Sequence, residues 1–243
     1  GSCTESMAQQ TRRDTLKLAI FDMDGTLMPI DVGVVWVDFL AQRSGADLSE
    51  ALVLKKKYLD DYHCGRFQVE PFMYFHMGLL KRFSRQNLDR LREQFVKEVV
   101  EPNITPSAKN LVASMKEDGY TAVMATGTQS YISETVAKAF GINYLLATRP
   151  VEDSMGEFTG EFIGGFCYGK HKIDRLKEFC ATHQIPLSDL SESVAYTDSI
   201  TDLPLLQFVE SFHGHVVATN PDPQLKEQAQ KSGWALLKLF DRA

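Results

Sequence analysis

Beyond Pro106 the chain alternates short apolar runs with amphipathic ones, and this alternation limits the fold more than any other feature. Residues 121–125, 144–147, 193–197, 215–219 and 234–240 have strand character, while 107–116, 130–140, 170–182, 202–208 and 224–231 show helical spacing. An earlier apolar run, 16–21, reads as a buried strand. Strands joined through helices by short links predict an α/β fold, a doubly wound parallel sheet with helices on both faces. Ligands of such sheets bind at the carboxyl ends of the strands. Residues 151–164, with Gly156 and Gly160 between apolar stretches, predict a hairpin.

Between 32 and 101 the pattern is helical throughout, with breaks at Ser44-Gly45-Ala46, Cys64-Gly65-Arg66 and Phe83-Ser84. Four helices and no strand are expected there, inserted directly behind the first strand as a lid over its end. The predicted organisation is a core of 15–31 and 103–243, a helical cap of 32–102, and a flexible polar N-terminus of 1–14. Gly1-Ser2 resemble a cloning scar, and Met7 a natural start.

The formal net charge of −6 comes without any basic block, which argues against nucleic acid as a partner. No apolar run is long enough to span a bilayer, so no membrane is expected either. Cys3, Cys64, Cys167 and Cys180 lack paired metal-ligand spacing, and reduced thiols in the cytoplasm are predicted.

Four segments carry candidate chemistry. The first strand runs into Phe21-Asp22-Met23-Asp24-Gly25-Thr26, placing two carboxylates around one turn. Such a pair seeks a cation or a proton, and suits one acid as nucleophile and the other as proton shuttle; an ordinary Asp/Gly surface turn is the competing reading. In Ala125-Thr126-Gly127-Thr128 a strand ends in a hydroxyl and a glycine ahead of a helix, which fits an anion, or simply a helix capped by Thr128. Gly169-Lys170-His171-Lys172 opens a helix with a cation, where a negative partner is wanted; a solvated lysine is the alternative. In Thr197-Asp198-Ser199-Ile200-Thr201-Asp202, Asp198 can join Asp22 around a divalent cation and Asp202 can orient Lys170, unless these residues are helix caps.

Taken together, these segments resemble the haloacid dehalogenase (HAD) superfamily, most closely its phosphoserine-phosphatase-like branch with a helical cap, subfamily IB. The resemblance runs from Leu16 to about Phe240 and implies a HAD-like Rossmannoid core with an inserted all-helical cap. It implies a phosphomonoesterase in which Asp22 attacks phosphorus to give an aspartyl phosphate and Asp24 serves as general acid and base. Mg²⁺ would sit on the Asp22 carboxylate, the Asp24 carbonyl and Asp198, while Thr126, the Gly127 N–H and Lys170 hold phosphate oxygens, with Asp202 behind them. Asp31 occupies the place of a family glutamate that binds the substrate amine, and His76 falls where the family has a carboxylate-binding arginine; Arg66 could reach over the site. Without that arginine the expected substrate is an amino-alcohol phosphate such as histidinol phosphate, not phosphoserine. A phosphotransferase and a non-catalytic binding protein are the alternatives. The expected partner is a small-molecule phosphate ester, met by a monomer or homodimer.

Overall fold

The computed structural model describes residues 16–241; the expectations for residues 1–14 and Cys3 lie outside that range. Six strands form one parallel sheet in the order β3-β2-β1-β6-β7-β8. These are β1 (Leu18–Phe21), β2 (Thr121–Ala125), β3 (Tyr144–Leu146), β6 (Val194–Thr197), β7 (His215–Thr219) and β8 (Ala235–Leu237). Every residue of β1 is buried, as expected of a central strand covered on both faces. The strand starts at Leu18 rather than at position 16, because Leu16 lies at the surface.

Side-chain alternation along the strands divides the core in two. Leu18, Ile20, Val123, Ala125, Ala195 and Ala218 face one cluster. That side is covered by α7 (His171–Thr182), α8 (Leu203–Ser211) and α9 (Pro223–Ser232) through residues such as Leu176, Leu206 and Leu225. Ala19, Phe21, Ala122, Met124 and Tyr196 face the other cluster, with Val112 of α5 (Pro106–Glu117) and Ile132 of α6 (Ser130–Ala139).

Four helices lie between β1 and α5: α1 (Val32–Arg43), α2 (Ser49–His63), α3 (Val69–Lys81) and α4 (Arg85–Phe95). Asp31 caps α1 by accepting the Val34 N–H, and Ser84 caps α4 by accepting the Asn87 N–H. Trp36, Phe39 and Phe95 pack ring against ring between α1 and α4, with Trp36 and Phe95 centroids 5.1 Å apart. The apolar cluster on this face of the sheet continues into these helices without a break.

The hairpin consists of β4 (Arg149–Glu152) and β5 (Phe158–Ile163), a separate antiparallel pair. It does not stand free. Phe162 lies 5.0 Å from the Tyr74 ring of α3, and Arg85 at the start of α4 bonds Glu152 and the Gly156 carbonyl. The hairpin thus straps the second half of the helical segment to the core.

β1 is the switch point of the sheet, since the strand order runs from it through β2 on one side and β6 on the other. Phe21 pairs in register with Met124 and Tyr196. The chain leaves these three central strands at Asp22, Thr126 and Asp198, side by side on one edge.

Candidate active site

The turn after β1 is wound tightly: the Met23 carbonyl accepts the N–H groups of Thr26, Leu27 and Met28. Gly25 has φ +78°, and a Cβ there would lie 2.1 Å from Asp198 Oδ2, so both the backbone and the neighbouring carboxylate require glycine. Asn220 fastens this turn from the end of β7. Its amide donates to the Gly25 and Thr26 carbonyls, and its Oδ1 accepts the Leu239 and Phe240 N–H groups.

The Thr26 hydroxyl stands 3.0 Å from Asp22 Oδ2 and 3.0 Å from Asp198 Oδ1. It has one proton and can donate to only one of them at a time. Two carboxylates from distant parts of the chain therefore converge on one point, as the sequence predicted.

The lysine is Lys172, not Lys170. Lys172 Nζ lies 3.0 Å from Asp22 Oδ1 and 3.0 Å from Asp202 Oδ2, with its side chain 4% exposed. Lys170 is exposed at the N-cap of α7. The reason is helix phase. Leu176, Phe179 and Cys180 form the inward stripe of α7, and one turn back from Leu176 is position 172. Burial works to lower the Lys172 pKa, but Asp202 and Asp22 outweigh it and raise the pKa, keeping the ammonium charged. Burial raises the Asp202 pKa, opposed by Lys172 and by the Thr197 hydroxyl bonded at 2.6 Å. Asp202 does orient a lysine as expected, but the one two residues further on.

Thr126 and Gly127 form the turn after β2. The Thr126 oxygen accepts the Thr128 N–H at 3.1 Å, which leaves its hydroxyl proton for another acceptor. Gly127 abuts Tyr168: a Cβ on it would lie 3.2 Å from that ring. The cap of α6 is Gln129, whose Oε1 accepts the Ile132 N–H, so Thr128 is not the capping residue. Thr128 instead donates its hydroxyl to Asp24 Oδ2 at 2.8 Å, while the Val32 N–H donates to Asp24 Oδ1 at 2.7 Å. Burial raises the Asp24 pKa well above the usual carboxylate range; Asp31 and, to a lesser degree, Asp22 add to the rise against these two hydrogen bonds.

The helical segment overhangs these groups. The Tyr62 hydroxyl lies 3.4 Å from Ser199 Oγ, and the Phe67 ring packs tilted against Tyr168 with centroids 5.2 Å apart. Phe67 continues into Phe72, and Phe72 into His76. His76 is buried between Phe72 and Phe75, and burial alone lowers its pKa to about 4. It is a neutral ring inside the helical layer and offers no charge to a substrate carboxylate. Arg66 is 72% exposed at its side chain and faces Asp61 at 4.0 Å, turned to solvent rather than into the site. Asp31 keeps solvent contact, yet the protein packed around its carboxyl raises its pKa, and the Asp22 charge adds to this.

Around Asp22, the Lys172 ammonium meets the Asp22 and Asp202 carboxylates, and the Thr26 hydroxyl brings Asp198 beside Asp22, a carboxylate-rich corner chemically suited to a cation. Among the described residues no three His, Cys, Asp or Glu side chains group as a metal site. A divalent ion here would need two carboxylates and a backbone carbonyl, hard oxygen donors throughout. The Asp24 side chain is committed elsewhere, which leaves only its carbonyl for that purpose.

A family model described as haloacid dehalogenase-like hydrolase matches residues 19–207. A histidinol-phosphatase of Neisseria meningitidis serogroup C is 32% identical over 220 residues, 90% of this chain and 97% of that protein. A crystal structure of a protein with unknown function from Bordetella pertussis Tohama I superimposes with a TM-score of 0.86 at 33% identity, covering 93% of this chain and 100% of that one. A substrate-bound phosphoserine phosphatase, 22% identical, shares the fold at a TM-score of 0.61 over 93% of this chain and 94% of that one.

Proposed function

Since this chain belongs to the haloacid dehalogenase-like hydrolase family and is a phosphoric monoester hydrolase, we propose that it works through a phosphorylated Asp22. The Asp22 carboxylate attacks phosphorus, and an Asp22 O–P bond forms as the ester P–O bond breaks. Asp24 gives its proton to the departing alcohol oxygen. A water molecule then attacks the same phosphorus and passes a proton to Asp24; the Asp22–phosphorus bond breaks and phosphate leaves. The Thr126 hydroxyl, the Gly127 N–H and the Lys172 ammonium hold the non-bridging oxygens, so that catalysis is chiefly positioning and charge compensation.

The Asp22 and Asp198 carboxylates with the Asp24 carbonyl would hold Mg²⁺. When bound, the ion offsets the negative charge of phosphate and carboxylates that must approach one another. The convergence of Asp22 and Asp198 on one hydroxyl supports this choice of ligands.

For the substrate we favour an amino-alcohol phosphate such as histidinol phosphate. The candidate cap position carries a buried neutral His76, and Arg66 points away, so a bidentate clamp for a carboxylate is lacking at both. Asp31, exposed and close enough to feel the Asp22 charge, suits a cationic leaving group, and the mutually packed rings of Tyr62, Phe67 and Tyr168 suit a flat one. The name of the Neisseria relative points the same way. Cys64, Cys167 and Cys180 are free, which supports a reducing, cytoplasmic setting.

The observation that carries the reading is the meeting of Asp22, Asp198, Lys172 and Asp202 at the ends of β1 and β6. Phosphate release from histidinol phosphate, phosphoserine and a wider panel of phosphorylated metabolites tests it, with Mg²⁺ or EDTA. Expected are Mg²⁺-dependent turnover that vanishes in Asp22→Asn and a preference for histidinol phosphate over phosphoserine. Turnover surviving in Asp22→Asn refutes the nucleophile, and preference for phosphoserine refutes the substrate.

A further inference from the structure

Thr128 sits where the turn after β2 meets the first turn of the helical segment, and neither helix capping nor the backbone of its own turn uses its hydroxyl. Gln129 takes the cap of α6, and it is the N–H of Thr128 that bonds Thr126. The hydroxyl goes to Asp24 Oδ2 at 2.8 Å. The other Asp24 oxygen is held by the N–H of Val32, the first residue of α1, at 2.7 Å. Two donors from two segments on two different oxygens define the plane of the carboxyl group as well as its position. Gly33 allows the approach: a Cβ on it would already touch Thr128 Oγ1 at 3.4 Å.

Resting on the acid–base role given to Asp24 above, we propose that Thr128 is a positioning residue for Asp24, holding its carboxyl in the plane that meets the leaving oxygen. Thr128 itself touches no reacting atom in this role. With the hydroxyl gone, the Val32 bond alone remains, and the carboxyl can turn about its Cβ–Cγ bond. The step that suffers is protonation of the leaving group, and it suffers in proportion to how basic that group is.

The test compares kcat/KM for phenyl phosphate and 4-nitrophenyl phosphate, two esters of similar shape whose leaving groups differ in their need for a proton. In Thr128→Val the phenyl-to-nitrophenyl ratio falls about tenfold, a part of the ~10²–10⁴ that general acid–base catalysis supplies. Thr128→Ser, which keeps the hydroxyl, restores the ratio. An equal loss on both esters, an unchanged ratio, or failure of serine to restore it overturns the proposal. Asp24→Asn measured alongside separates the two readings. If it shows the selective loss and Thr128→Val does not, only the positioning role falls; if Asp24→Asn lacks selectivity, the acid assignment itself has failed.

Discussion

Replacing Lys172 by methionine removes a buried ammonium while keeping most of the stem that packs along α7. Its side chain is 4% exposed, and the two carboxylates it faces are 3% (Asp202) and 13% (Asp22) exposed. Taking one partner from a buried ion pair leaves an uncompensated charge and costs about 3–5 kcal/mol. For a domain of this size each kcal/mol moves Tm by about 2–4 °C, so a fall of roughly 6–20 °C is expected. The folded pKa of Lys172 is raised, so the stability it contributes is fully present below the ordinary lysine value and is lost only as pH rises through the folded one. Urea unfolding at pH 7 therefore samples the full effect. In the variant Asp202 loses the charge that opposed its burial, so it takes up a proton more readily and the deficit narrows as pH falls. Lys170→Met, at an exposed position, is the matched control and should stay within about 0.5 kcal/mol. A loss below about 1 kcal/mol for Lys172→Met, or an equal loss for Lys170→Met, would show that the α7 register described above is wrong.

Gly25→Ala should destabilise by about 1–3 kcal/mol from its left-handed backbone alone. The new Cβ also drives Asp198 out of place, so phosphatase activity should fall further than stability; retention of wild-type kcat/KM would refute the close approach. Burial holds His76 at about 4 instead of its ordinary 6.5, so the unfolded chain binds the extra proton first. The native state consequently loses stability as pH falls from 6.5 towards 4, by roughly 2 kcal/mol at pH 5. His76→Leu should flatten that limb in urea titrations at pH 7 and pH 5, and an unchanged slope would place the ring in contact with water.

The strand ends were the most legible part of the chain. Apolar runs stop where the backbone leaves a sheet buried on both faces, so Asp22, Thr126 and Asp198 could be aligned without coordinates. The four helices between β1 and α5 declared themselves by apolar spacing and by Ser84 at a helix start. The lysine was not legible from its glycine neighbour, because which side chain faces inward depends on the phase of α7. That phase is set downstream by Leu176, Phe179 and Cys180, and counting back along this stripe would have found position 172. The partners of Thr26, Thr128 (which reads in sequence as a helix cap) and Asn220 are not legible for a different reason. Their contacts join residues far apart in the chain, and a lone hydroxyl or amide carries no periodic signal. His76 rests on likeness to a family position and Arg66 on its place beside Gly65, and neither burial nor exposure follows from such placements.

The strap between Arg85 and the 149–163 hairpin, together with the unbroken apolar cluster beneath it, bears on any attempt to exchange substrate preference with a relative. Grafting only the stretch between Asp31 and Asn103 would export four helices without the hairpin that receives Tyr74 and Arg85, and would cut through an apolar cluster that runs on into the sheet. The exchangeable unit is discontinuous, helices plus hairpin, and a chimera that honours both splice points is the one expected to fold.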